Sequence, residues 1–188
     1  MHRLSSSFVL GFHGCREEVA VGLISGAAFQ ASQNDYDWLG SGVYFWLSDP
    51  ERALSFVEEK FARERTGDTP AVVGAVIDLG LCLDLSTAAG VNQARQAYDG
   101  LRDIVQLAGK EMPVNAGGAD LLKRHLDCAV INFLHEARKQ TRVPPIDTVK
   151  GVFLEGSPAY PNAGIMTKTH VQIAVRNADC IKGVFRPR

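Results

Sequence analysis

Three short stretches of the chain combine hydrogen-bonding side chains with glycine or aromatic residues. His13 lies in the run GFHG (11–14), and Tyr44 lies in the run LGSGVYF (39–45). His170 and Gln172 lie in the later run KTHVQIAV (168–175). Imidazole and carboxamide groups donate or accept hydrogen bonds, a phenol ring can stack on a flat ligand, and glycine lets a ligand approach the backbone. These stretches are therefore the candidate ligand-binding residues.

Each stretch also has an ordinary structural explanation. A single His-Gly pair can simply bond a neighbouring carbonyl group, and the aromatic residues 44–46 can pack together in the core. The two-residue period of a strand places His170 and Gln172 on one face, which could be a site lining or a solvated edge face. Taken separately, the stretches leave both readings open.

Hydrophobic patterning indicates the elements that position these residues. A buried strand is expected at Phe8–Phe12, ending at His13, and a second strand at 42–46 after the glycine turn. Asp49 is a good N-cap and Pro50 suits a first helical position, so a helix is expected to begin there. The remaining predictions are helices at 17–24, 91–108 and 118–139, with strands at 71–79, 148–154, 171–175 and 181–185.

The order of these elements favours an α+β fold. The last three strands follow one another without intervening helices, which is unlike a doubly wound parallel sheet. The GSG run at 40–42 precedes a strand instead of opening a helix, so it does not match a dinucleotide-binding fingerprint. In the second long helix, apolar residues at helical spacing predict a buried stripe: Leu122, Leu126, Ala129, Val130, Phe133 and Leu134.

Composition limits the classes of function. The 188 residues are enough for one domain, and 20 Lys and Arg residues against 21 acidic residues give a net charge of −1. This balance excludes a strong overall attraction to nucleic acid or anionic lipid, although a local basic patch is compatible with it. The four cysteines show neither C-x-x-C nor zinc-ligand spacing, which predicts reduced thiols and no metal site. No apolar run approaches the length of a bilayer span, and we expect a cytoplasmic protein.

Taken together, the three stretches resemble the diphtheria-toxin/PARP-like branch of the ADP-ribosyltransferase superfamily. That branch carries a His-Tyr-Glu motif, and here His13 and Tyr44 match its first two positions. The resemblance covers residues 8–60 and 148–185. It implies an α+β fold with a split antiparallel β core of ADP-ribosyltransferase type, forming a single domain over 1–188. Residues 81–146 would be a helical insertion in that domain.

The resemblance also implies a substrate and roles for individual residues. NAD would be the co-substrate of a mono-ADP-ribosyltransferase, a pentosyl-transferring glycosyltransferase. His13 would bond the adenosine ribose, and the backbone of Gly14 would hold the nicotinamide carboxamide. Tyr44 would stack on the nicotinamide ring, with Phe56 as the second aromatic of the sandwich. Ring faces suit the cationic pyridinium because they are electronegative.

The third motif position departs from the family pattern. Gln172 stands where the family has glutamate, and it can accept a hydrogen bond from the ribose 2′-hydroxyl but carries no charge. This departure argues against synthesis of poly(ADP-ribose). His170 would bind or deprotonate the acceptor, so that Gln172, His170 and Tyr44 are the predicted catalytic residues. Glu155, in the adjacent loop, could supply the missing carboxylate.

Other functions stay open at this stage. Gln172 favours a catalytically silent module that binds NAD or ADP-ribose, and a third candidate is the related NAD-dependent phosphotransferase that removes an RNA 2′-phosphate. The acceptor would be a protein or a nucleic acid. By analogy, the compact chain suits an intracellular toxin or defence effector with a cognate antitoxin, and no membrane partner is expected.

Basic residues of the insertion form either a phosphate-contacting surface or a solvated helix face: Lys123, Arg124, Arg138, Lys139 and Arg142.

Overall fold

A computed structural model of the protein describes residues 8–187 and contains seven strands and four helices. The strands are β1 Phe8–Arg16, β2 Val43–Leu47, β3 Pro70–Asp78, β4 Cys82–Asp84, β5 Thr148–Phe153, β6 His170–Val175 and β7 Ile181–Phe185. The helices are α1 Glu17–Ile24, α2 Pro50–Glu64, α3 Ala88–Leu107 and α4 His125–Gln140, and a 3₁₀ turn covers Ala178–Cys180.

All seven strands belong to one sheet with the order β4-β5-β6-β2-β1-β3-β7. Neighbours are antiparallel except for β4 and β5, which are parallel. The predicted α+β class is therefore confirmed. The prediction missed β4, which lies inside the segment 81–146 that was expected to be helical. Its three residues are too few to show a strand period, so only pairing with β5 reveals them.

The first strand is longer than predicted. The strand does not end at His13, because β3 pairs with β1 along its whole length, from Phe8 opposite Asp78 to Arg16 opposite Pro70. The sequence after Phe12 loses its apolar character, but the long apolar run of β3 supplies a partner for it. His13 and Gly14 consequently lie inside a strand and not at its end.

The helices cover both faces of the sheet. α1 packs on one face, where Leu23 contacts the cluster that includes Cys15 and Val73. α2 packs on the opposite face, where Ala53 joins the cluster of Phe12 and Trp46. α4 packs on that second face beside strands β5 and β6, through a cluster containing Ile131, Val149 and Ala174. The part of β2 and β6 that carries Trp46 and Gln172 lies between α2 and α4.

The predicted start of α2 is confirmed, and the predicted start of α4 is wrong. The Asp49 side chain accepts a hydrogen bond from the backbone N–H of Arg52 at 2.8 Å, as expected of an N-cap. α4 begins at His125 and not at 118, since Gly117 and Gly118 adopt left-handed φ angles of 97° and 82° in a tight turn. Leu122 falls in that turn and is exposed, whereas Val130 of the predicted stripe is buried.

Candidate functional site

Strands β1 and β2 separate after two residue pairs. They pair only at Gly11 and Phe12 of β1, and beyond Phe12 the His13 ring bonds β2, with Nδ1 2.8 Å from the carbonyl oxygen of Tyr44. A carbonyl oxygen only accepts, so Nδ1 carries the hydrogen and Nε2 carries a lone pair. Burial lowers the pKa of His13, although the bond to Tyr44 opposes this, and the ring is therefore neutral near pH 7. We call this separated region the β1–β2 opening.

The backbone of Gly14 faces the β1–β2 opening. The carbonyl of Leu10 accepts from the N–H of Ser48, on the β2 side, and the N–H of Glu17 donates to Thr69, on the β3 side, each at 2.9 Å. Backbone groups of successive residues in a strand point alternately to its two sides, and the β1–β3 register is continuous. The N–H and C=O of Gly14 therefore point toward β2, where no β2 residue pairs with Gly14. They offer one donor and one acceptor side by side.

Gly14 also lets α2 approach the sheet. A Cβ atom at this position would lie 2.3 Å from the carbonyl oxygen of Ala53 and 3.2 Å from Cβ of Val57. Both residues belong to α2, so any side chain at position 14 would displace the helix. This packing requirement is separate from the ligand-binding role that the sequence predicts for Gly14.

The turn before β2 holds the phenol of Tyr44. Its hydroxyl donates to the carbonyl of Gly40 at 2.7 Å and accepts from the N–H of Leu39 at 2.8 Å. The ring packs against the buried cluster around Leu39. Burial raises the pKa of the phenol, which stays neutral. Because the hydroxyl of Tyr44 is already hydrogen-bonded, its ring is the part that can contact a ligand.

The register brings Gln172 close to Tyr44. Gln172 lies opposite Trp46 of β2, and Tyr44 lies opposite Ala174 on the same face. Diagonal neighbours of this kind are about 7–8 Å apart on an antiparallel sheet. Gln172 is buried, and its carboxamide makes no hydrogen bond to any residue of the described range 8–187. This register places Gln172 near Tyr44 on one face of the sheet. The His13 ring bonds only the backbone of Tyr44 and packs on the opposite face, with its centroid 5.5 Å from Phe29 and 5.7 Å from Phe45.

The sandwich of a ligand ring between Tyr44 and Phe56 stays a prediction. Phe56 contacts Trp46, with ring centroids 4.8 Å apart, and has no ring contact with Tyr44. The sequence indicated no role in binding for Trp46, only possible core packing, yet it is the aromatic residue directly opposite Gln172. The signal for it was present, because the two-residue strand period puts Trp46 on the same face as Tyr44.

The ring of His170 is enclosed by aromatic residues. Its centroid lies 5.6 Å from Phe153, 6.2 Å from Trp38 and 6.4 Å from Trp46, and the side chain has no exposed surface. Nδ1 lies 2.7 Å from the carbonyl of Lys168, so Nε2 carries the lone pair. A macromolecular acceptor does not reach this ring in the present conformation. The role of His170 toward the acceptor stays a prediction.

Glu155 is committed to a buried ion pair. Its carboxylate lies 2.9 Å from Nη2 of Arg52 and 3.5 Å from Nδ1 of His170, and it is almost fully buried. Nε and Nη1 of Arg52 and Nε1 of Trp46 are buried without a hydrogen-bond partner within residues 8–187. Unpartnered buried donors are rare, and these could bind acceptor oxygens of a ligand. The ion pair with Arg52 engages the carboxylate of Glu155, which was predicted to replace the missing glutamate.

Two of the predicted basic residues are used in packing. The guanidinium of Arg124 lies 4.3 Å from the centre of the Trp38 ring, next to the aromatic residues around His170. Arg138 donates to the carbonyl of Pro144 through Nε at 3.0 Å and Nη2 at 2.6 Å. These contacts weaken the case for a nucleic-acid surface on the segment 81–146.

Cavities of about 340 and 240 Å³ lie outside this neighbourhood. Neither is lined by His13, Tyr44, Phe56, His170 or Gln172.

Buried histidines predict acid sensitivity. Burial lowers the pKa of His13, His170 and His135, the last to about 3 from 6.5. Between pH 6.5 and 3 the unfolded chain binds a proton at His135 that the folded chain excludes, so stability falls as the pH falls. From pH 7 to 5, His135 alone should cost about 2 kcal/mol, and the other two add in the same direction.

Urea unfolding at pH 7 and pH 5 tests this expectation. His135→Leu should lose less stability between the two pH values than the unaltered chain. An equal loss in both proteins would mean that His135 does not contribute to the acid sensitivity.

No helix within residues 8–187 is long and apolar enough to cross a membrane. Comparison with known proteins finds no matching family model, no significantly similar curated protein and no significantly similar solved structure.

Proposed function

We propose that this protein binds NAD at the β1–β2 opening and transfers ADP-ribose to a macromolecular acceptor. The observation that carries the proposal is the arrangement of His13 and Gly14. The carbonyl of Tyr44 holds His13 as one neutral tautomer, and the adjacent backbone of Gly14 presents toward the β1–β2 opening a donor and an acceptor that no β2 residue pairs.

These groups complement the chemistry of NAD. The nicotinamide carboxamide has one acceptor oxygen and an N–H₂ donor, which match the N–H and C=O of Gly14. The lone pair on Nε2 of His13 can accept from a ribose hydroxyl. The N–H groups of Arg52 and Trp46 that have no partner among residues 8–187 can donate to phosphate oxygens, and the ring faces of Tyr44 and Trp46 suit a cationic pyridinium.

The proposed reaction breaks the bond between the nicotinamide nitrogen and C1′ of the ribose. Nicotinamide leaves with the bonding electrons, and positive charge develops on the sugar. A nucleophilic atom of the acceptor then bonds to C1′ and releases its proton. Gln172, as a hydrogen-bond acceptor for the 2′-hydroxyl, orients the sugar without the charge stabilisation that a carboxylate would add.

Binding of NAD without catalysis is the second candidate. Two observations favour it: Gln172 carries no charge, and the nearby carboxylate of Glu155 is neutralised by Arg52 at 2.9 Å. A silent module would use the same His13 and Gly14 contacts, so NAD binding alone does not separate the two functions.

Incubation with labelled NAD, with and without cell lysate, separates the outcomes. Nicotinamide release that requires lysate, with label on a macromolecule, supports the transferase. Release without lysate indicates a glycohydrolase, and binding without release indicates the silent module. Absence of NAD binding overturns the proposal.

The role of Gln172 gives a prediction about rate. Gln172→Ala should lower nicotinamide release about tenfold with a smaller change in NAD affinity, since one oriented transition-state contact is lost. Gln172→Glu should raise release because it adds a negative charge beside the developing cation. Gln106→Ala, on the exposed side of α3, is the matched control. If Gln172→Ala releases nicotinamide as fast as the control, Gln172 has no part in the chemistry.

A further inference from the structure

A second region, remote from the proposed NAD contacts, is a candidate binding site for a small molecule. It is the cavity of about 340 Å³ between α4, the segment 143–146 and the end of β6. This volume lies near the lower end of the range of about 300–1,000 Å³ that ligand pockets occupy. We call it the α4 cavity.

A buried and unsatisfied histidine lines the α4 cavity. His135 is 9% exposed, and its Nε2 has no hydrogen-bond partner among residues 8–187. Burial, reinforced by the charges of Arg176 and Arg138, lowers the pKa of His135 to about 3, so the ring is neutral. A buried imidazole nitrogen without a partner is costly for the fold, which points to a polar group that joins it.

The charged residues of the lining give the cavity a positive balance. Lys139 and Arg176 contribute two positive charges, and Glu136 contributes one negative charge. Glu136 also acts electrostatically on Arg176, whose pKa is lowered by burial and raised by Glu136. A ligand with one negative charge would neutralise this net charge of +1.

Apolar residues form the rest of the lining. Val143, Pro145 and Ile146 contribute hydrocarbon surface. The segment is fixed to α4, because Arg138 donates two hydrogen bonds to the carbonyl of Pro144. A ligand that is charged at one end and apolar at the other would contact both kinds of lining.

We propose that the α4 cavity binds a small amphipathic monocarboxylate. The carboxylate would accept a hydrogen bond from Nε2–H of His135 near Lys139 and Arg176, and its apolar part would lie against Val143 and Ile146. Arg176 links this cavity to the candidate site, since its Nη1 donates to the carbonyl and hydroxyl oxygens of Ser41, in the turn that holds Tyr44. The binding proposal does not depend on NAD chemistry.

Nuclear magnetic resonance of the histidine Cε1–H groups tests the proposal. The His135 signal is assigned with His135→Gln, and the full chain is titrated with benzoate, acetate and benzamide. Benzoate should shift the His135 signal saturably with a dissociation constant of about 1 mM, a modest affinity for a small ligand. Acetate, which lacks the apolar part, and benzamide, which lacks the charge, should bind at least about tenfold more weakly.

Two variants provide the controls. Lys139→Met removes one exposed cation of the lining and should weaken benzoate binding about fivefold or more, as expected for loss of a single charge contact. Lys110→Met makes the same change of charge at an exposed position beyond α3 and should leave the titration unaltered. The proposal is wrong if benzoate gives no saturable shift up to about 50 mM, far above the affinity expected here. It is equally wrong if benzamide binds as well as benzoate or if the two lysine variants behave alike.

Discussion

Arg52→Met is expected to lower the free energy of unfolding by about 3 kcal/mol or more, the range observed when one partner of a buried ion pair is removed. Arg52 and Glu155 are 11% and 7% exposed, and their nearest N and O atoms lie 2.9 Å apart. Methionine fills much of the same volume but leaves the carboxylate of Glu155 buried without a counter-charge. The chain from Glu155 into β6 would then lose its buried ion pair with α2.

Urea unfolding at pH 7 measures the effect, and a second ion pair supplies the control. Lys168 and Glu59 also join this loop to α2, at 2.8 Å, but their side chains are 41% and 48% exposed. Lys168→Met should therefore cost no more than about 1 kcal/mol. Arg52→Met combined with Glu155→Leu should recover much of the lost stability, because no buried charge remains. Equal effects of Arg52→Met and Lys168→Met would contradict the importance assigned to the buried pair.

Gly14→Ala is expected to destabilise the fold by about 3 kcal/mol, near the upper end of the usual cost of overpacking. The added methyl would lie 2.3 Å from the backbone oxygen of Ala53, which cannot rotate away as a side chain can. α2 would have to move off β1, and the cluster of Phe12 and Trp46 beneath it would loosen.

The comparison with Gly183→Ala isolates this effect. Gly183 lies in β7 of the same sheet, and a Cβ there would meet no atom within 4 Å. We expect that variant to match the unaltered chain within about 0.5 kcal/mol, as for substitutions that create no contact. The midpoint and slope of urea unfolding measure both variants. If Gly14→Ala is as stable as Gly183→Ala, the close approach of α2 is not a constraint, and only ligand binding would account for glycine at position 14.

Local patterns account for the features that could be predicted. Asp49 followed by Pro50 is enough to place the start of α2, since capping depends on neighbouring residues. The alternation around Gln172 identified the face that it shares with His170, because the strand period is local. The α+β class followed from the order of such elements.

The missed features depend on partners that are far away in the sequence. β1 extends past His13 only because β3 pairs with it, and the apolar pattern of β1 itself gives no sign of this. Arg52 and Glu155 are 103 positions apart, so no spacing rule connects them. The sequence shows that Trp46 is an apolar residue of a strand. It does not show that Trp46 lies opposite Gln172, because that depends on the β2–β6 register.

The short ladder between β1 and β2 divides the sheet into a four-stranded part, β4-β5-β6-β2, and a three-stranded part, β1-β3-β7. Within the first part β5 and β6 share a continuous ladder, as β1 and β3 do in the second. Bending of the sheet would therefore concentrate along the line between β1 and β2, where the fewest backbone bonds must stretch. This line runs beside His13 and Gly14, and beyond its two residue pairs the bond from His13 Nδ1 to the carbonyl of Tyr44 connects the two parts of the sheet.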